Sequence, residues 1–280
     1  MPYEKTLMIS TCGTSLLTGC RLPTEVLRRV ANSTEGDLSQ ADRAAVDEAR
    51  RAAEEKLQDE RLGLAERCVM CAELAGISLY YDETFPRRGP EASGQKHVFI
   101  ATDTYIGFTA AEAIRVFIEA QGMHAETNKV AHLATRNITD FQYGLDGITA
   151  WCEEHIPNIR EEGCRVVFNL SGGFKGILAW MQALSTFYAD ECIYTFEGTR
   201  ELLRIPKLPV ASLNIQHDLE VFVRKNLPLF AKLAEPRSIC LVTDIPNGAP
   251  EMLFRTVPDG RELSAMGRLI WRRVRRTHYQ

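Results

Sequence analysis

The chain has 280 residues, of which 45% are hydrophobic and 25% are charged, and its formal net charge is -4. This composition is typical of a globular protein, and it excludes both a disordered chain and a basic protein that coats nucleic acid. No apolar stretch approaches the ~18 residues that a membrane span needs and no signal peptide is visible, so we expect a soluble, cytoplasmic protein without a membrane partner.

The eight cysteines lack the spacing of a secreted disulfide scaffold. Cys68 and Cys71 form a single C-x-x-C, but no second pair of cysteines or histidines follows at the spacing of a zinc finger. We therefore expect reduced cysteines with a structural role, no metal site and no cofactor.

Predicted strands and helices alternate along most of the chain. Residues 39–74 have the pattern of one long amphipathic helix with a break near Gly63, and no chemistry is assigned to them. The clearest strand, residues 165–170, runs through Ser171-Gly172-Gly173 into a helix over 174–188. The other predicted elements are strands at 6–10, 97–101, 129–133, 192–196 and 202–205, and helices at 23–30, at 109–121 and from the turn at 135–140 through Trp151.

This alternation predicts an α/β fold with a Rossmann-like, mostly parallel sheet and helices on both of its faces, which we assign to residues 1–212. Residues 213–280 are predicted to form a small C-terminal α+β module of winged-helix-like type. Its predicted elements are helices at 219–233 and 263–274, a strand at 252–257, and a segment at 239–242 that fits either a strand or the start of a buried helix. Because the turns after parallel strands share one edge of a sheet, we expect the ligand at that edge.

The turn Ser171-Gly172-Gly173-Phe174-Lys175 carries the strongest signal for a site. Two glycines let the backbone approach a ligand closely, and the start of the following helix favours an anion. Lys175 adds a positive charge where the helix dipole disfavours one, which indicates an anionic partner. The alternative is a tight turn with an exposed lysine. The segment does not match a P-loop, so ATP hydrolysis is not supported.

Polar turns follow two other predicted strands. Ser10-Thr11-Cys12-Gly13-Thr14-Ser15 offers hydroxyls that can contact phosphate or ribose, or Thr14 or Ser15 can simply cap a helix. No histidine is placed locally to activate Cys12 as a nucleophile. In Thr102-Asp103-Thr104, Asp103 can orient a ribose hydroxyl or cap the next helix. Further along, Arg136 can meet a phosphate, and Phe141 can stack on a base or belong to the core.

The C-terminal run Arg272-Arg273-Val274-Arg275-Arg276-Thr277-His278 is basic. Arg273 and His278 fit the R-x4-H pattern of HEPN ribonucleases, but that pattern belongs on a sizeable helical bundle. A solvated helix end is the better interpretation, because cations are favourable near the C-terminus of a helix. Weak contact of this tail with nucleic acid stays open.

Four segments in order resemble a known family: Ser10 to Leu17, Thr102-Asp103-Thr104 with Gly107, Asn169 to Lys175, and Phe196-Glu197 followed by Ile205-Pro206-Lys207-Leu208-Pro209. Together they resemble the CRISPR-associated Rossmann-fold (CARF) proteins of type III systems, over about the first three quarters of the chain. The resemblance implies a homodimer that binds a cyclic oligoadenylate, usually the tetramer, across its two-fold axis. Some members of that family, the ring nucleases, also cleave the ring without metal.

The resemblance also implies roles for individual residues. Lys175 would neutralise developing charge, and a hydroxyl of Ser10, Thr11 or Thr14 would position the attacking 2′-hydroxyl or the phosphate. Lys175, Ser10 and Thr11 are thus the catalytic candidates. The candidate ligand contacts are Cys12, Gly13, Thr14, Ser15, Thr102, Asp103, Thr104, Arg136, Phe141, Asn169, Ser171, Gly172, Gly173 and Phe174.

The C-terminus departs from the family pattern. Many relatives carry a large effector domain, whereas about 70 residues follow Pro209 here and they lack a convincing catalytic constellation. We therefore expect a ring nuclease that acts on cyclic tetra-adenylate. The alternative is a sensor of cyclic oligoadenylate whose C-terminal module acts on nucleic acid. A Rossmann dehydrogenase is disfavoured, because no G-x-G-x-x-G follows the first strand.

Overall fold

The structure is a computed structural model, and it describes residues 5–86, 89–196, 201–206, 215–235 and 237–278. Internal contacts divide the chain into two compact units. The first consists of residues 1–144 and 156–207, and the second of residues 145–155 and 208–280. The described residues do not include the predicted domain boundary at 212/213. They also do not include Glu197 and residues 207–209, which belong to the family resemblance.

A six-stranded sheet forms the centre of the first unit, in the order β3-β2-β1-β4-β5-β6. Neighbouring strands from β3 to β5 are parallel, and β6 alone is antiparallel to its neighbour. Helices flank the sheet, so the predicted Rossmann-like, mostly parallel α/β fold is confirmed. The strands are β1 (Thr6–Thr11), β2 (Gln95–Ala101), β3 (His124–Lys129), β4 (Arg165–Asn169), β5 (Glu191–Thr195) and β6 (Leu202–Pro206).

The order of the strands reverses at β1. The chain proceeds from β1 outward to β2 and β3, and it then returns to the other side of β1 to form β4 and β5. The carboxyl ends of β1 and β4 therefore lie at the switch point of the sheet. Ligands of open α/β sheets bind at such a point, outside the carboxyl ends of the strands.

Nine described helices belong wholly or partly to the first unit. They are α1 (Ser15–Thr18), α2 (Thr24–Val30), α3 (Gln40–Gln58), α4 (Leu64–Cys68), α5 (Ala72–Tyr80), α6 (Pro90–Ser93), α7 (Tyr105–Ala120), α8 (Ile138–Glu161) and α9 (Lys175–Tyr188). The middle of α8 counts with the second unit. None of the helices in the described part of the chain is long and apolar enough to cross a membrane.

The predicted long helix over residues 39–74 is wrong, since α3, α4 and α5 replace it. The break near Gly63 is confirmed: the Gly63 N–H donates to Glu66 Oε2 at 2.8 Å, which caps the start of α4. A second break follows, because Cys71 has extended backbone and precedes α5 as its N-cap. All eight cysteines are free and buried, as expected for reduced cysteines.

The predicted strand at 129–133 is also wrong, since β3 covers His124–Lys129. This strand lies at an edge of the sheet and is only partly buried, so its sequence is polar and lacks the apolar run that usually indicates a strand. Helix α8 continues ten residues beyond the predicted end at Trp151, to Glu161, although it contains Pro157.

The second unit contains α10 (Ile215–Lys225), α11 (Leu227–Leu233), a hairpin of β7 (Phe254–Val257) and β8 (Gly260–Leu263), and α12 (Ala265–His278). The single helix predicted at 219–233 is wrong, because the backbone of Asn226 is not helical (φ -124°) and separates α10 from α11. The strand or buried helix predicted at 239–242 is absent: Cys240 forms one bridge with Arg261, and Val242 begins a short 3-10 helix (Val242–Asp244) that is exposed. The winged-helix-like arrangement stays a prediction.

Candidate ligand pocket

A pocket of about 280 Å³ lies where β1, β2 and β4 end. Turns that are far apart in the sequence meet there, as expected for the carboxyl edge of a parallel sheet. Seven of the predicted site residues line it: Cys12, Gly13, Thr14, Thr102, Thr104, Gly173 and Phe174. Six residues that were not predicted complete the lining: Leu27, Ala31, Asn32, Gly107, Ala134 and Thr135.

The hydroxyls of Ser10 and Thr11, two of the catalytic candidates, do not line this pocket. Both residues are completely buried at the end of β1. Ser10 Oγ accepts a hydrogen bond from Asn169 Nδ2 at 3.2 Å, and Thr11 Oγ1 donates to the carbonyl of Gly172 at 2.5 Å. These hydroxyls tie the β1 and β4 turns together, and a ligand reaches neither of them without displacing the turns.

Thr14 is the hydroxyl of the β1 turn that lines the pocket. It is the N-cap residue of α1, yet its side chain makes no capping hydrogen bond, so that alternative use of the hydroxyl is not seen. Ser15 is exposed and lies outside the pocket lining, with its Oγ 3.5 Å from Glu73 Oε2. Within this turn, Thr14 is therefore the best-placed candidate to contact a ligand.

The glycine turn after β4 has the geometry that its sequence predicts. Gly173 has a φ of +94°, which side chains rarely tolerate, and it lies in the wall of the pocket. Helix α9 begins directly afterwards, and its N-cap residue Phe174 offers no side-chain cap to the first N–H groups. The start of the helix is thus available to an anion.

Lys175 is the first residue of α9, and its side chain is exposed. Among the residues that the structure describes, it forms no hydrogen bond or ion pair. Lys175 is not among the residues that line the pocket, but it directly follows Phe174, which is, and its ammonium group is free to meet a ligand phosphate. Asn169 and Ser171 instead shape the turn: Asn169 Oδ1 accepts from the Ser171 N–H at 3.1 Å, and Ser171 Oγ accepts from the Thr195 N–H at 3.1 Å.

The turn after β2 supplies the opposite wall. The hydroxyls of Thr102 and Thr104 lie 2.7 Å apart, and Thr104 caps α7 by accepting from the Gly107 N–H at 3.2 Å. Position 107 requires a glycine, because a Cβ there would lie only 2.0 Å from Thr102 Oγ1. Asp103 is not the cap of α7, because Thr104 has that role.

Asp103 and Arg136 pair with each other outside the pocket lining. Asp103 Oδ2 accepts from Arg136 and from the His132 N–H at 3.1 Å. Arg136 also donates to the carbonyl of Asn32 at 2.8 Å, so the pair connects three turns around the pocket. A ligand phosphate would have to compete with Asp103 for Arg136.

Phe141 lies behind the pocket and supports Phe174. The two rings are 5.3 Å apart between centroids and inclined at 47°. Phe141 also packs against the first turn of α9, since a Cβ on Gly176 would lie 3.2 Å from its ring. Of the two aromatic residues, Phe174 is the one that faces the pocket.

Two features near the pocket bear on its chemistry. Burial, and then the negative charge of Glu73, raise the pKa of the Cys12 thiol well above its usual value. Cys12 therefore stays protonated and is a poor nucleophile. Glu73, which the sequence analysis missed, is 1% exposed and accepts a hydrogen bond from the Gly13 N–H at 2.7 Å. Its only signal in the sequence is that it is the one charged residue of an apolar helix.

Neither the second unit nor the described metal-ligating side chains offer another site that contains predicted residues. A larger groove of about 720 Å³ lies in the second unit, but its lining is mostly apolar and contains none of the predicted site residues. Within the described ranges, no group of three or more histidine, cysteine, aspartate or glutamate residues could hold a metal ion. The smaller pocket, which seven of the predicted ligand contacts line, is therefore the candidate site.

The fold and the pocket define a Rossmann-like protein with a candidate anion site at the switch point of its sheet. The family model of the CRISPR-associated protein (Cas_APE2256) matches residues 68–208, and the chain belongs to this CRISPR-associated family. The matched segment includes α5, the strands from β2 to β6 and the glycine turn before α9. A comparison with curated proteins gave no match.

Proposed function

We propose that the chain binds cyclic tetra-adenylate at a homodimer interface and cleaves it without metal to linear di-adenylate with a 2′,3′-cyclic phosphate, which would switch off type III CRISPR signalling. The observation that carries this proposal is the pairing of Gly173 in the pocket wall with the free Lys175 at the start of α9. Both favour a phosphate beside the pocket. Membership of a CRISPR-associated family supports the biological context.

The proposed reaction needs neither water nor an added nucleophile. A ribose 2′-oxygen bonds to the adjacent phosphorus, the bond from phosphorus to the 5′-oxygen breaks, and the proton passes from the 2′-hydroxyl to the leaving 5′-oxygen. Two such events divide a ring of four nucleotides into two halves. The protein has to hold the attacking and leaving oxygens in line and to stabilise the charge that develops on the phosphate.

Lys175 and Thr14 are the residues that we propose for these tasks. Lys175 would neutralise the charge on the phosphoryl oxygens, and the hydroxyl of Thr14 would position the 2′-hydroxyl or the phosphate. Thr14 takes this place instead of Ser10 and Thr11, because their hydroxyls are buried and bonded within the protein.

The size of the pocket supports a dimer. Its volume of about 280 Å³ is at the lower end of the range of ~300–1,000 Å³ for sites that enclose a drug-sized ligand. A ring of four nucleotides is larger than such a ligand, so one pocket encloses only part of it. Two pockets related by a two-fold axis would match the symmetry of the ring.

Incubation of the purified protein with labelled cyclic tetra-adenylate and EDTA tests the proposal. We expect a linear di-adenylate that ends in a 2′,3′-cyclic phosphate, identified by mass spectrometry. A ring that binds tightly but stays intact would reject the enzyme and favour the sensor. A ring that does not bind would reject both.

The sensor is the second candidate, and the burial of the Ser10 and Thr11 hydroxyls favours it, because two of the predicted catalytic groups do not face the pocket. Its C-terminal module would act on nucleic acid. However, the α12 arginines are largely engaged within the second unit: Arg272 donates to the carbonyl of Asp146 at 3.3 Å and Arg276 to that of Glu153 at 3.0 Å. A mobility-shift assay with and without cyclic tetra-adenylate would test this activity.

A further inference from the structure

The carboxylate of Glu73 lies directly beneath both turns that form the switch-point side of the pocket. Glu73 is in the first turn of α5, which packs against β4 and β5. Its side chain is 1% exposed, and it forms no ion pair with any residue in the described part of the chain. A buried carboxylate without a cationic partner is costly, so its hydrogen bonds and contacts should have a role.

The first contact holds the β1 turn. Glu73 Oε1 accepts from the Gly13 N–H at 2.7 Å, which is the short distance of a charge-assisted hydrogen bond. This bond fixes the backbone immediately before Thr14. It also occupies the Gly13 N–H, so that amide is not available to a ligand phosphate.

The second contact supports the β4 turn. A Cβ on Gly172 would lie 2.2 Å from Glu73 Oε1, so this glycine rests directly on the carboxylate. The two turns are themselves close, since a Cβ on Gly13 would lie 3.3 Å from the Gly173 nitrogen. The backbone of Glu73 adds a third link, because its carbonyl accepts from Asn169 Nδ2 at 3.0 Å.

We propose that Glu73 is a positioning residue of this pocket, whose carboxylate oxygens hold the Gly13 and Gly172 turns at the spacing that the ligand requires. The inference rests on the proposed function for the identity of the ligand. In the free protein, both turns should loosen together when these oxygens are removed.

The test compares Glu73→Ala with Glu73→Gln, which keeps an oxygen acceptor but removes the charge. Leu74→Ala is the matched control, because Leu74 is the next residue of α5, is completely buried and loses only apolar contacts. Amide hydrogen exchange of residues 11–16 and 170–176 is measured in the free proteins. The dissociation constant of fluorescent cyclic tetra-adenylate is measured at a temperature at which every variant is folded.

For Glu73→Ala we expect exchange in both segments to accelerate about tenfold and the dissociation constant to rise about tenfold, since a charged hydrogen bond is lost. Glu73→Gln should restore most of both properties. Leu74→Ala should lower the melting temperature while both segments and the affinity stay close to wild type.

Three outcomes would overturn the inference: wild-type exchange in either segment of Glu73→Ala, wild-type affinity of that variant, or equal losses in Glu73→Gln. If both turns loosen in Glu73→Ala but the wild-type protein does not bind the probe, the positioning of the turns is supported and the proposed ligand is rejected. The two proposals therefore fail separately.

Discussion

Lys175 occupies a position at which its charge is unfavourable for the protein itself. It begins α9, where the helix dipole repels a cation, and no described acidic group compensates it. A residue of this kind is expected to contribute to the binding of a ligand rather than to the stability of the fold. The prediction from the sequence that its charge serves an anionic partner is consistent with this position.

We expect Lys175→Ala to reduce the rate of cleavage of cyclic tetra-adenylate by about 100-fold or more, because charge stabilisation in the transition state is lost. The free energy of unfolding should change by less than about 0.5 kcal/mol, since the side chain is exposed. Single-turnover kinetics and thermal unfolding measure the two effects. Lys232→Ala, which removes an exposed lysine of the second unit, is the control, and unchanged cleavage by Lys175→Ala would remove Lys175 from the mechanism.

His97 on β2 should make the free energy of unfolding depend on pH. It is 1% exposed, its Nε2 lies 3.2 Å from Tyr81 Oη, and burial lowers its pKa to about 3. In the unfolded chain the pKa of histidine is about 6.5, so the unfolded state binds more protons between these values. The stability that the neutral ring provides is present above about pH 6.5 and is lost as the pH falls towards 3.

We therefore expect the free energy of unfolding to fall by up to about 1.4 kcal/mol per pH unit below pH 6.5 on account of His97. His97→Gln should remove this part of the slope, whereas His124→Gln, at an exposed position of β3, should keep it. Denaturant unfolding at a series of pH values measures the slopes. Asp146, whose burial raises its pKa to about 6, contributes an opposite slope that cancels in the comparison. Equal slopes for wild type and His97→Gln would contradict the prediction.

Among the elements, α5 changes the interpretation of the site most. The long amphipathic helix predicted over residues 39–74, to which no chemistry was assigned, included only the first three residues of α5, whereas the structure has a separate helix that continues to Tyr80. Its Gly76 allows Asn169 and Ser171 to approach closely, since a Cβ there would lie 2.6 Å from Asn169 Oδ1 and 2.7 Å from Ser171 Oγ. The absence of a side chain at Gly76 is therefore a condition for the shape of the β4 turn.

Replacement of Gly76 by alanine should reveal this contact. In an ordinary helix the change would stabilise the protein by about 1 kcal/mol. Here we expect a loss of about 1–3 kcal/mol from overpacking, together with weaker binding of cyclic tetra-adenylate. Gly36→Ala is the control, because nothing lies within 4 Å of the added Cβ. Thermal unfolding and a binding titration measure the two effects. A stabilised Gly76→Ala variant with normal affinity would show that the β4 turn does not depend on its close contact with Gly76.

The sequence predicted the elements that have strong local patterns, and it missed those that depend on distant partners. The buried strands β1, β2, β4 and β5 were predicted to within a residue or two. The polar edge strand β3 was misplaced because its pattern lacks an apolar run. At the site, the glycine turn and Thr14 were predicted from local chemistry. The engagement of the Ser10 and Thr11 hydroxyls was not predicted, since their hydrogen-bond partners Asn169 and Gly172 lie about 160 residues away in the sequence.

For the whole molecule, the proposed function requires that two chains share one ring. We expect a titration to give one cyclic tetra-adenylate for every two chains, with a dimer present before the ligand is added. Calorimetry measures the stoichiometry, and light scattering coupled to size-exclusion chromatography measures the mass. A monomer that binds one ring for each chain would contradict the shared site, whether or not the ring is cleaved.

The burial of all eight cysteines has a practical consequence for the study of this protein. In the folded chain, burial raises the pKa values of thiols such as Cys68, to about 12, so few thiolates are available to an alkylating reagent. Unfolding exposes the thiols to water. We expect a maleimide to label the native protein slowly and the unfolded protein at up to eight positions. The chain thus carries its own chemical probes of opening, and mass spectrometry after brief labelling would report which part opens first.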